Sequence, residues 1–261
     1  MKELHLKEVS HNVKVGDTCE YICPNILEDT LFFDDGKPIG FYIKDIGKYS
    51  QKASQLADIA DKELRSKNVP KSLMKRSSGF IDDDKSKQVL QYSTILGSIP
   101  PKPHMRRPYP TRSSVHGVAT AKTFIKAMLM LAKESENIIK QITPELYEQQ
   151  KNIIADNIAK EWRFSDLFTS SISNFNIAAD FHRDNGNLKG CSNVIIAKRK
   201  NSVGGCTTIP DYGATVASDD NSMLYYPAWR NVHGVTPITP THSNGYRNTL
   251  VFYPLANFPK D

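Results

Sequence analysis

Several features are missing from this sequence of 261 residues. No apolar run approaches the roughly 18 residues of a transmembrane helix, so a membrane protein is not expected. The first residues, MKELHLKEVSHN, are charged throughout and lack the apolar stretch of a secretory signal. Neither an internal repeat nor an extended low-complexity segment is visible. We therefore expect an intracellular globular protein.

Cysteine is scarce, with four residues in the chain: Cys19, Cys23, Cys191 and Cys206. Cys19 and Cys23 are spaced like half of a zinc site, but no second pair follows at a suitable distance. Reduced, unpaired cysteines are the expected state, and they fit an intracellular compartment.

Acidic residues are outnumbered, 28 against 34 Lys and Arg, which leaves a net charge of +6. The excess favours an anionic partner such as nucleic acid, although many basic proteins bind nothing acidic. Residues 97–114 contain five prolines and the basic residues Lys102, Arg106, Arg107 and Arg112. Since proline excludes helix and removes sheet donors, this segment is either a plain linker or a basic strap that contacts phosphates. A second basic stretch covers 71–76.

Periodic patterns indicate helices at 51–67, 119–141 and 144–160, and a hairpin around Asp35-Gly36. From Arg163 onward, short β-like runs alternate with Gly, Pro, Asn and Asp. The candidate strands are 171–182, 192–199, 205–210, 222–226, 231–236 and 247–254. Many short strands late in the chain predict an α+β protein with a β-sandwich or jelly-roll core and flanking helices.

A metal-binding pattern lies in the predicted strand that ends near residue 184. Alternate side chains of a strand share a face, so His182 and Asp184 can bind one metal ion. His233 follows 49 residues after Asp184. Two histidines and one carboxylate form the facial triad of non-heme Fe(II) oxygenases, which leaves coordination positions open for co-substrate and O2. A bare His-x-Asp is common by chance, so this hypothesis depends on the residues around it.

Arg247, 14 residues after His233, supplies further support. Strand alternation sends Arg247, Thr249, Val251 and Tyr253 to one face. Arg247 could form an ordinary surface ion pair, but the strand is otherwise apolar, and a buried arginine would require a buried anion. The distal carboxylate of 2-oxoglutarate is suitable, since a guanidinium binds a carboxylate in bidentate fashion and Thr249 can donate a hydroxyl.

The order and spacing of these motifs resemble those of the 2-oxoglutarate oxygenase superfamily. The residues around the motifs resemble those of its TET and J-binding-protein branch. The similarity covers roughly residues 160–254. The resembling stretches are Phe168-Thr-Ser170, Asn174-Phe-Asn176, His182-Arg-Asp-Asn-Gly-Asn-Leu-Lys-Gly190, Gly204-Gly205, Ile209-Pro-Asp-Tyr-Gly213, His233-Gly-Val-Thr-Pro-Ile238 and Arg247-x-Thr-x-Val-Phe-Tyr253.

The resemblance implies a double-stranded β-helix, or jelly roll, over 91–261 together with its preceding helices, and an accessory region at 1–90. It implies iron ligands at His182, Asp184 and His233, with 2-oxoglutarate held by Arg247 and Thr249. The implied cofactors are Fe(II), 2-oxoglutarate and O2. Compact relatives occur in bacteriophages, which suggests the cytoplasm of a host cell.

The implied reaction is hydroxylation of the 5-methyl group of 5-methylcytosine or thymine in DNA, on a base flipped out of the duplex. Hydroxylation of a protein side chain or a free small molecule by the same centre is the alternative. A binding module that has lost its metal is disfavoured, because all three ligands and the arginine are present.

Two residues would contact the base according to the resemblance: Asn187 through its amide and Tyr253 by stacking. Asn187 could instead be a turn former, and Tyr253 a core residue. The amide of Asn187 can both donate and accept, so it could read either pyrimidine. Enzymes of the TET branch that act on 5-methylcytosine commonly carry a histidine two residues after the stacking tyrosine, where this chain has Leu255. That departure puts 5-methylcytosine in doubt without selecting thymine.

Small and polar residues nearby have open roles at this stage. Gly204-Gly205 is either a turn or a place where the backbone passes close to the site. Asn174 and Asn176 either line the pocket or satisfy polar backbone groups.

Overall fold

The computed structural model of the protein describes residues 1–73, 75–80, 88–102, 104 and 106–260. The basic stretch 71–76 and the basic segment 102–112 therefore lie partly outside the described residues. No helix within the described ranges is long and apolar enough to cross a membrane.

The predicted helices are present as α1 (Gln51–Arg65), α2 (Lys122–Ile142) and α3 (Pro144–Asn157). Ser50 caps the N-terminus of helix α1: its side chain accepts a hydrogen bond from the Ala53 N–H and so satisfies a free donor of the first turn. The apolar stripes of the helices are buried in one core cluster together with residues of the largest sheet. The helices therefore cover one face of that sheet, as their periodicity predicts.

The strands of the described residues form a major sheet, a minor sheet and a short ribbon. In spatial order the major sheet contains β1 (Lys2–His5), β2 (Thr30–Asp34), β3 (Lys37–Ile43), β13 (Met223–Tyr226), β9 (Asn193–Lys200), β16 (Tyr246–Tyr253), β7 (Ser170–Phe175), β5 (Gln88–Ile99) and β4 (Lys75–Phe80), with β6 (Thr111–Arg112) beside β5. The minor sheet contains β12 (Ala214–Val216), β11 (Thr207–Ile209), β14 (His233–Val235) and β8 (Ala179–His182), and the ribbon pairs β10 (Ser202–Gly204) with β15 (Ile238–Pro240).

From β7 onward the chain alternates between the two large sheets. Strands β7, β9, β13 and β16 lie in the major sheet, while β8, β11, β12 and β14 lie in the minor sheet. Consecutive strands that cross between two antiparallel sheets form a jelly roll. The prediction of an α+β fold with a double-stranded β-helix core and flanking helices is confirmed.

The predicted strand 171–182 is wrong as a single element. Asn176 has φ 52°, in the left-handed region, and it ends β7 before β8 begins in the other sheet. Asparagine tolerates this conformation better than most residues. The break turns the chain from the major sheet into the minor sheet, which carries His182.

Residues 16–26, near the start of the chain, contact both edges of the minor sheet. The N–H of Gly16 donates to the Phe181 carbonyl at 2.7 Å, and the N–H of Phe181 donates to the Asp17 carbonyl at 2.9 Å. At the opposite edge, Ile26 forms a parallel bridge with Val216. Cys19 packs between these contacts against Gly234.

Strands β2 and β3 form the predicted hairpin and continue the major sheet, where Phe41 of β3 pairs with Tyr225 of β13. Strands from both sides of residue 90 thus share one sheet. The division into an accessory region at 1–90 and an oxygenase domain at 91–261 stays a prediction. Cys19, Cys191 and Cys206 are buried, Cys23 is exposed, and all four are unpaired.

Gly40→Ala tests whether the N-terminal hairpin contributes to stability. A Cβ at Gly40 would lie 2.2 Å from the carbonyl oxygen of Tyr225, so β3 must move away from β13. We expect the free energy of unfolding to fall by about 1–3 kcal/mol in urea denaturation. Gly117→Ala is the control, since Gly117 has nothing within 4 Å of the added atom. Equal stability of the two variants would show that the hairpin is dispensable.

Candidate active site

Pairing of β8 with β14 brings the two predicted histidine ligands together. His182 and His233 are direct cross-strand partners, and their ring centroids lie 4.3 Å apart. Asp184 follows β8, and its N–H donates to the Ala228 carbonyl at 3.2 Å. One ligand atom from each of the three residues lies within 4.8 Å of the others. In the described part of the chain, this is the one such cluster of His, Cys, Asp and Glu side chains.

The two imidazole rings are oriented by their own backbone. Nδ1 of His182 lies 2.7 Å from the Asp180 carbonyl, and Nδ1 of His233 lies 3.1 Å from the Asn231 carbonyl. A carbonyl only accepts, so each Nδ1 carries the hydrogen and each Nε2 keeps a free lone pair. Burial lowers the pKa of His233, against the opposing effect of Asp184, and this favours the neutral ring that metals bind. The donor set of two imidazoles and one carboxylate fits Fe(II).

Arg247 is 3% exposed and has no carboxylate within ion-pair distance among the described residues. Its Nε donates to Ser218 Oγ at 2.7 Å. Burial, and then the nearby charge of Arg199, lower the pKa of Arg247 to about 9, so it is still a cation at neutral pH. A buried cation without an acidic partner favours binding of an anion. The carboxylate of 2-oxoglutarate fits this position.

Gly205 makes room for the Arg247 side chain. A Cβ at this position would lie 2.3 Å from Cδ of Arg247, and the φ of Gly205 is +71°, which L side chains rarely adopt. The glycine pair therefore lets the backbone pass close to the site, one of the two roles considered from the sequence.

The two asparagines of β7 and its end have different roles. Oδ1 of Asn176 accepts the backbone N–H of Arg247 at 2.8 Å, so Asn176 satisfies a buried polar group. Asn174 pairs with Thr249 across the sheet and lines the cavity beside it.

A cavity of about 390 Å³ lies between the two sheets. The minor-sheet side carries the His182, Asp184 and His233 cluster, and the major-sheet side carries Arg247 and Thr249. The remaining lining residues include Asn187, Tyr253 and Leu255, with apolar walls from Ile172, Ile195 and Val251. All residues that the sequence singled out for metal, co-substrate and base therefore face one space.

Asn187 combines the two roles considered for it. Its backbone N–H donates to the Asp184 carbonyl at 2.9 Å, as in a turn, while its buried side chain lines the cavity. Tyr253 is half-buried. Its burial raises the pKa of its hydroxyl, and the nearby charge of Asp184 raises this pKa further. Leu255 reaches the cavity despite the intervening Pro254.

Sequence reasoning missed three residues of this site. Tyr226 packs edge-on against His233 with 5.4 Å between ring centroids. Asn193 donates from Nδ2 to Asp184 Oδ2 at 2.8 Å, and Ser218 holds Arg247. Alternation along β13 would have put Tyr226 on the inner face, whereas no local pattern identifies Asn193 or Ser218.

Residues 101–255, more than half of the chain, match the Tet_JBP family, described as the oxygenase domain of the 2OGFeDO superfamily. The chain belongs to this Tet/JBP family. It is therefore a 2-oxoglutarate- and Fe(II)-dependent dioxygenase, and its superfamily uses Fe(II), 2-oxoglutarate and O2. A search of curated proteins finds no significant match.

One solved structure shows the fold of this Tet/JBP oxygenase in another protein, and two further structures align with lower TM-scores. NgTET1 in complex with 5mC DNA aligns with a TM-score of 0.58 at 12% identity, over 97% of this chain and 88% of that chain. OsALKBH1 aligns with a TM-score of 0.43 at 12% identity, over 84% of this chain and 97% of that one. An oxidoreductase of the 2OG-Fe(II) oxygenase family from Burkholderia pseudomallei gives 0.46 at 12% identity, over 78% and 81% of the two chains.

Asp184→Ala tests the metal centre of the Tet/JBP oxygenase. Loss of the one anionic ligand should abolish conversion of 2-oxoglutarate to succinate while the protein stays folded. Asp180→Ala is the control, because Asp180 is exposed on β8, the strand before Asp184, and its backbone carbonyl, which orients His182, is retained. Full turnover in Asp184→Ala would remove this carboxylate from the centre.

Arg247→Ala tests the co-substrate site. Removal of a charge-assisted hydrogen-bond pair should weaken 2-oxoglutarate binding by about 1.5–3 kcal/mol. Titration calorimetry would measure this, with metal binding unchanged. Arg247→Lys should recover part of the affinity, since it keeps the charge and loses the bidentate fork. Unchanged affinity in the alanine variant would exclude Arg247 from the site.

Gly205→Ala should also weaken 2-oxoglutarate binding, because its Cβ would displace the Arg247 side chain. Gly213→Ala is the matched control, since Gly213 also has positive φ, +57°, but only Val9 Cγ2 at 3.6 Å from the added atom. The same titration distinguishes the two. Equal affinities would show that Arg247 does not depend on the space at Gly205.

Proposed function

We propose that this oxygenase hydroxylates the 5-methyl group of a pyrimidine base, 5-methylcytosine or thymine, in DNA. The observation that carries the proposal is the shared cavity, where the metal-binding cluster, Arg247 and the two base-contact candidates Asn187 and Tyr253 meet. The fold is that of NgTET1, which was solved in complex with 5mC DNA.

In this proposal each part of the cavity has a defined task. His182, Asp184 and His233 hold the iron, and Arg247 with Thr249 binds the distal carboxylate of 2-oxoglutarate. Bound iron with 2-oxoglutarate and O2 supplies the oxidation of a C–H bond, with succinate and CO2 as co-products. Ile195 and Val251 form apolar walls that exclude water from the reacting centre.

The base would enter between Tyr253 and Asn187. A base inside a duplex cannot reach an enclosed site, so it must be flipped out, at a cost of a few kcal/mol. Stacking on Tyr253 would offset part of this cost, since base–aromatic stacking contributes about 1–3 kcal/mol. Leu255 lies in the cavity wall and offers no hydrogen bond to the pyrimidine edge.

The basic segment 102–112 is our candidate for phosphate contacts. It follows β5, whose Gly97 pairs with Ser170, and Ser170 also pairs with Tyr253. The segment therefore leaves the sheet at the Tyr253 end of the cavity. Lys102 and Arg106 are exposed there, and the backbone of Lys102 bonds to that of Arg107, so the described residues of this segment favour the basic strap over a plain linker.

Nucleoside analysis tests the function. The protein is incubated with Fe(II), 2-oxoglutarate and oligonucleotides of DNA and RNA that carry thymine or 5-methylcytosine, and the digested products are examined by mass spectrometry. We expect a 5-hydroxymethyl pyrimidine from DNA, and none from the Asp184→Ala variant. Succinate formation stimulated only by a peptide or a free small molecule would favour the alternative substrate class.

DNA binding should weaken steeply as salt rises, since phosphate contacts release counterions. The double substitution Lys102→Ala and Arg106→Ala should reduce the salt slope by roughly one unit per lost contact. The control is Lys122→Ala with Lys126→Ala, which removes the same charge from exposed positions on α2. Fluorescence anisotropy at several salt concentrations gives the slopes. Identical slopes for the two double variants would exclude the strap from the DNA interface.

A further inference from the structure

Asn193 connects the metal-binding cluster to the side chain proposed to read the base. It begins β9, is 3% exposed, and lines the cavity. Its Nδ2 donates to Asp184 Oδ2 at 2.8 Å, and its Oδ1 accepts from Asn187 Nδ2 at 2.9 Å. Three side chains therefore form one hydrogen-bonded chain from the carboxylate to Asn187.

The carboxylate sets the direction of this chain. An ionised carboxylate only accepts hydrogen bonds, so Asn193 must present its NH2 group to Asp184. The carbonyl oxygen of Asn193 then faces Asn187, which must present its own NH2 group in turn. Nδ2 of Asn187 also lies 3.4 Å from Asp184 Oδ2, so both of its hydrogens have acceptors within the protein.

The same contacts orient Asp184. Its Oδ2 is held by the amide of Asn193, while its Oδ1 lies on the side of the histidines, 3.6 Å from His182 Nε2. A side chain that fixes a ligating carboxylate in this way typically affects metal affinity by about 10- to 100-fold. Both polar atoms of the Asn193 side chain are engaged in these hydrogen bonds, so Asn193 acts on the metal cluster through Asp184.

We propose that Asn193 is a positioning residue that aims the Asp184 carboxylate at the metal and leaves Asn187 only a hydrogen-bond acceptor, Oδ1, to offer the substrate. Of the donor and acceptor roles that the sequence left open for Asn187, this proposal keeps the acceptor role, which can still meet an N–H of either pyrimidine. The substrate class that follows is a base with an N–H on the edge that meets Asn187. The recognition half of this inference rests on the proposed function, whereas the metal half does not.

The metal half is tested with Co(II) alone, titrated into the protein and followed by visible absorption. Asn193→Leu keeps roughly the side-chain volume of Asn193 and removes its amide. Asn193→Ala is a second variant, which removes the amide with a side chain smaller than asparagine. Both should bind Co(II) at least about tenfold more weakly than the wild type. Asn248→Leu is the matched control, because Asn248 is a fully buried asparagine that donates to Asp61 on the helix side of the sheet. Its Co(II) affinity should be unchanged.

The recognition half is tested with single-stranded oligonucleotides that differ at one base: thymine, 5-methylcytosine or 5-methyl-2-pyrimidinone, which has no N–H on this edge. In competition binding, the wild type should prefer at least one of the first two over the third by roughly three- to tenfold, the range of one hydrogen bond. Asn193→Leu should lose this preference, since the amide of Asn187 is then free to turn.

Wild-type Co(II) affinity in both Asn193 variants, or an equal loss in Asn248→Leu, would overturn the positioning role. Equal binding of all three bases by the wild type would overturn the acceptor-only recognition. Binding of none of the oligonucleotides, together with weakened Co(II) binding in the Asn193 variants, would contradict the proposed function and support the role of Asn193 at the metal.

Discussion

The Arg247 guanidinium is buried with no carboxylate partner in the part of the chain that the structure describes, and this burial is unfavourable by itself, since both desolvation and the charge of Arg199 oppose it. The surrounding structure is arranged so that this cation stays in place. Gly205 provides the space for the side chain, Ser218 accepts from Nε, and Asn176 holds the backbone N–H. In the proposed co-substrate site, the distal carboxylate of 2-oxoglutarate would offset this unfavourable burial, so part of its affinity would come from a desolvation cost that the folded chain already bears.

The sequence predicted those site residues that share one face of a single strand. The His-x-Asp of β8 and the Arg-x-Thr-x-Val-x-Tyr of β16 needed only the two-residue period of a strand. The location of His233 opposite His182 depends on the pairing of two strands; the sequence offered His233 only as a residue type that completes the triad, and the resemblance to a family supported that choice. Asn193 could not be found at all, because an asparagine at the start of a strand has no local signature, and its importance comes from two partners that lie six and nine residues away around a turn.

Prediction of the strands from the sequence was limited in the same way, because pairing between distant segments leaves no local pattern. Helices and short strands were predicted from their periods, but β5 was missed, although its residues 92–97 pair with the whole of β7. The two strands are separated by α2 and α3, and such distant pairing leaves no mark within a window of ten residues. The sequence also predicted 171–182 as one strand, because a local pattern shows neither the positive φ of Asn176 nor its hydrogen bond with Arg247, more than 70 residues away.

The contacts of the first residues with the minor sheet have a consequence for solubility. Strands β8 and β12 are the two outer strands of that sheet, and unpaired outer strands are templates for pairing with another molecule. Gly16 and Asp17 form backbone hydrogen bonds with Phe181 of β8, and Ile26 forms a parallel bridge with Val216 of β12. Without this segment both edge strands of the minor sheet would expose unpaired backbone groups. One of these strands is β8, which carries His182. Pairing of β8 with another molecule would then compete with assembly of the cluster of His182, Asp184 and His233.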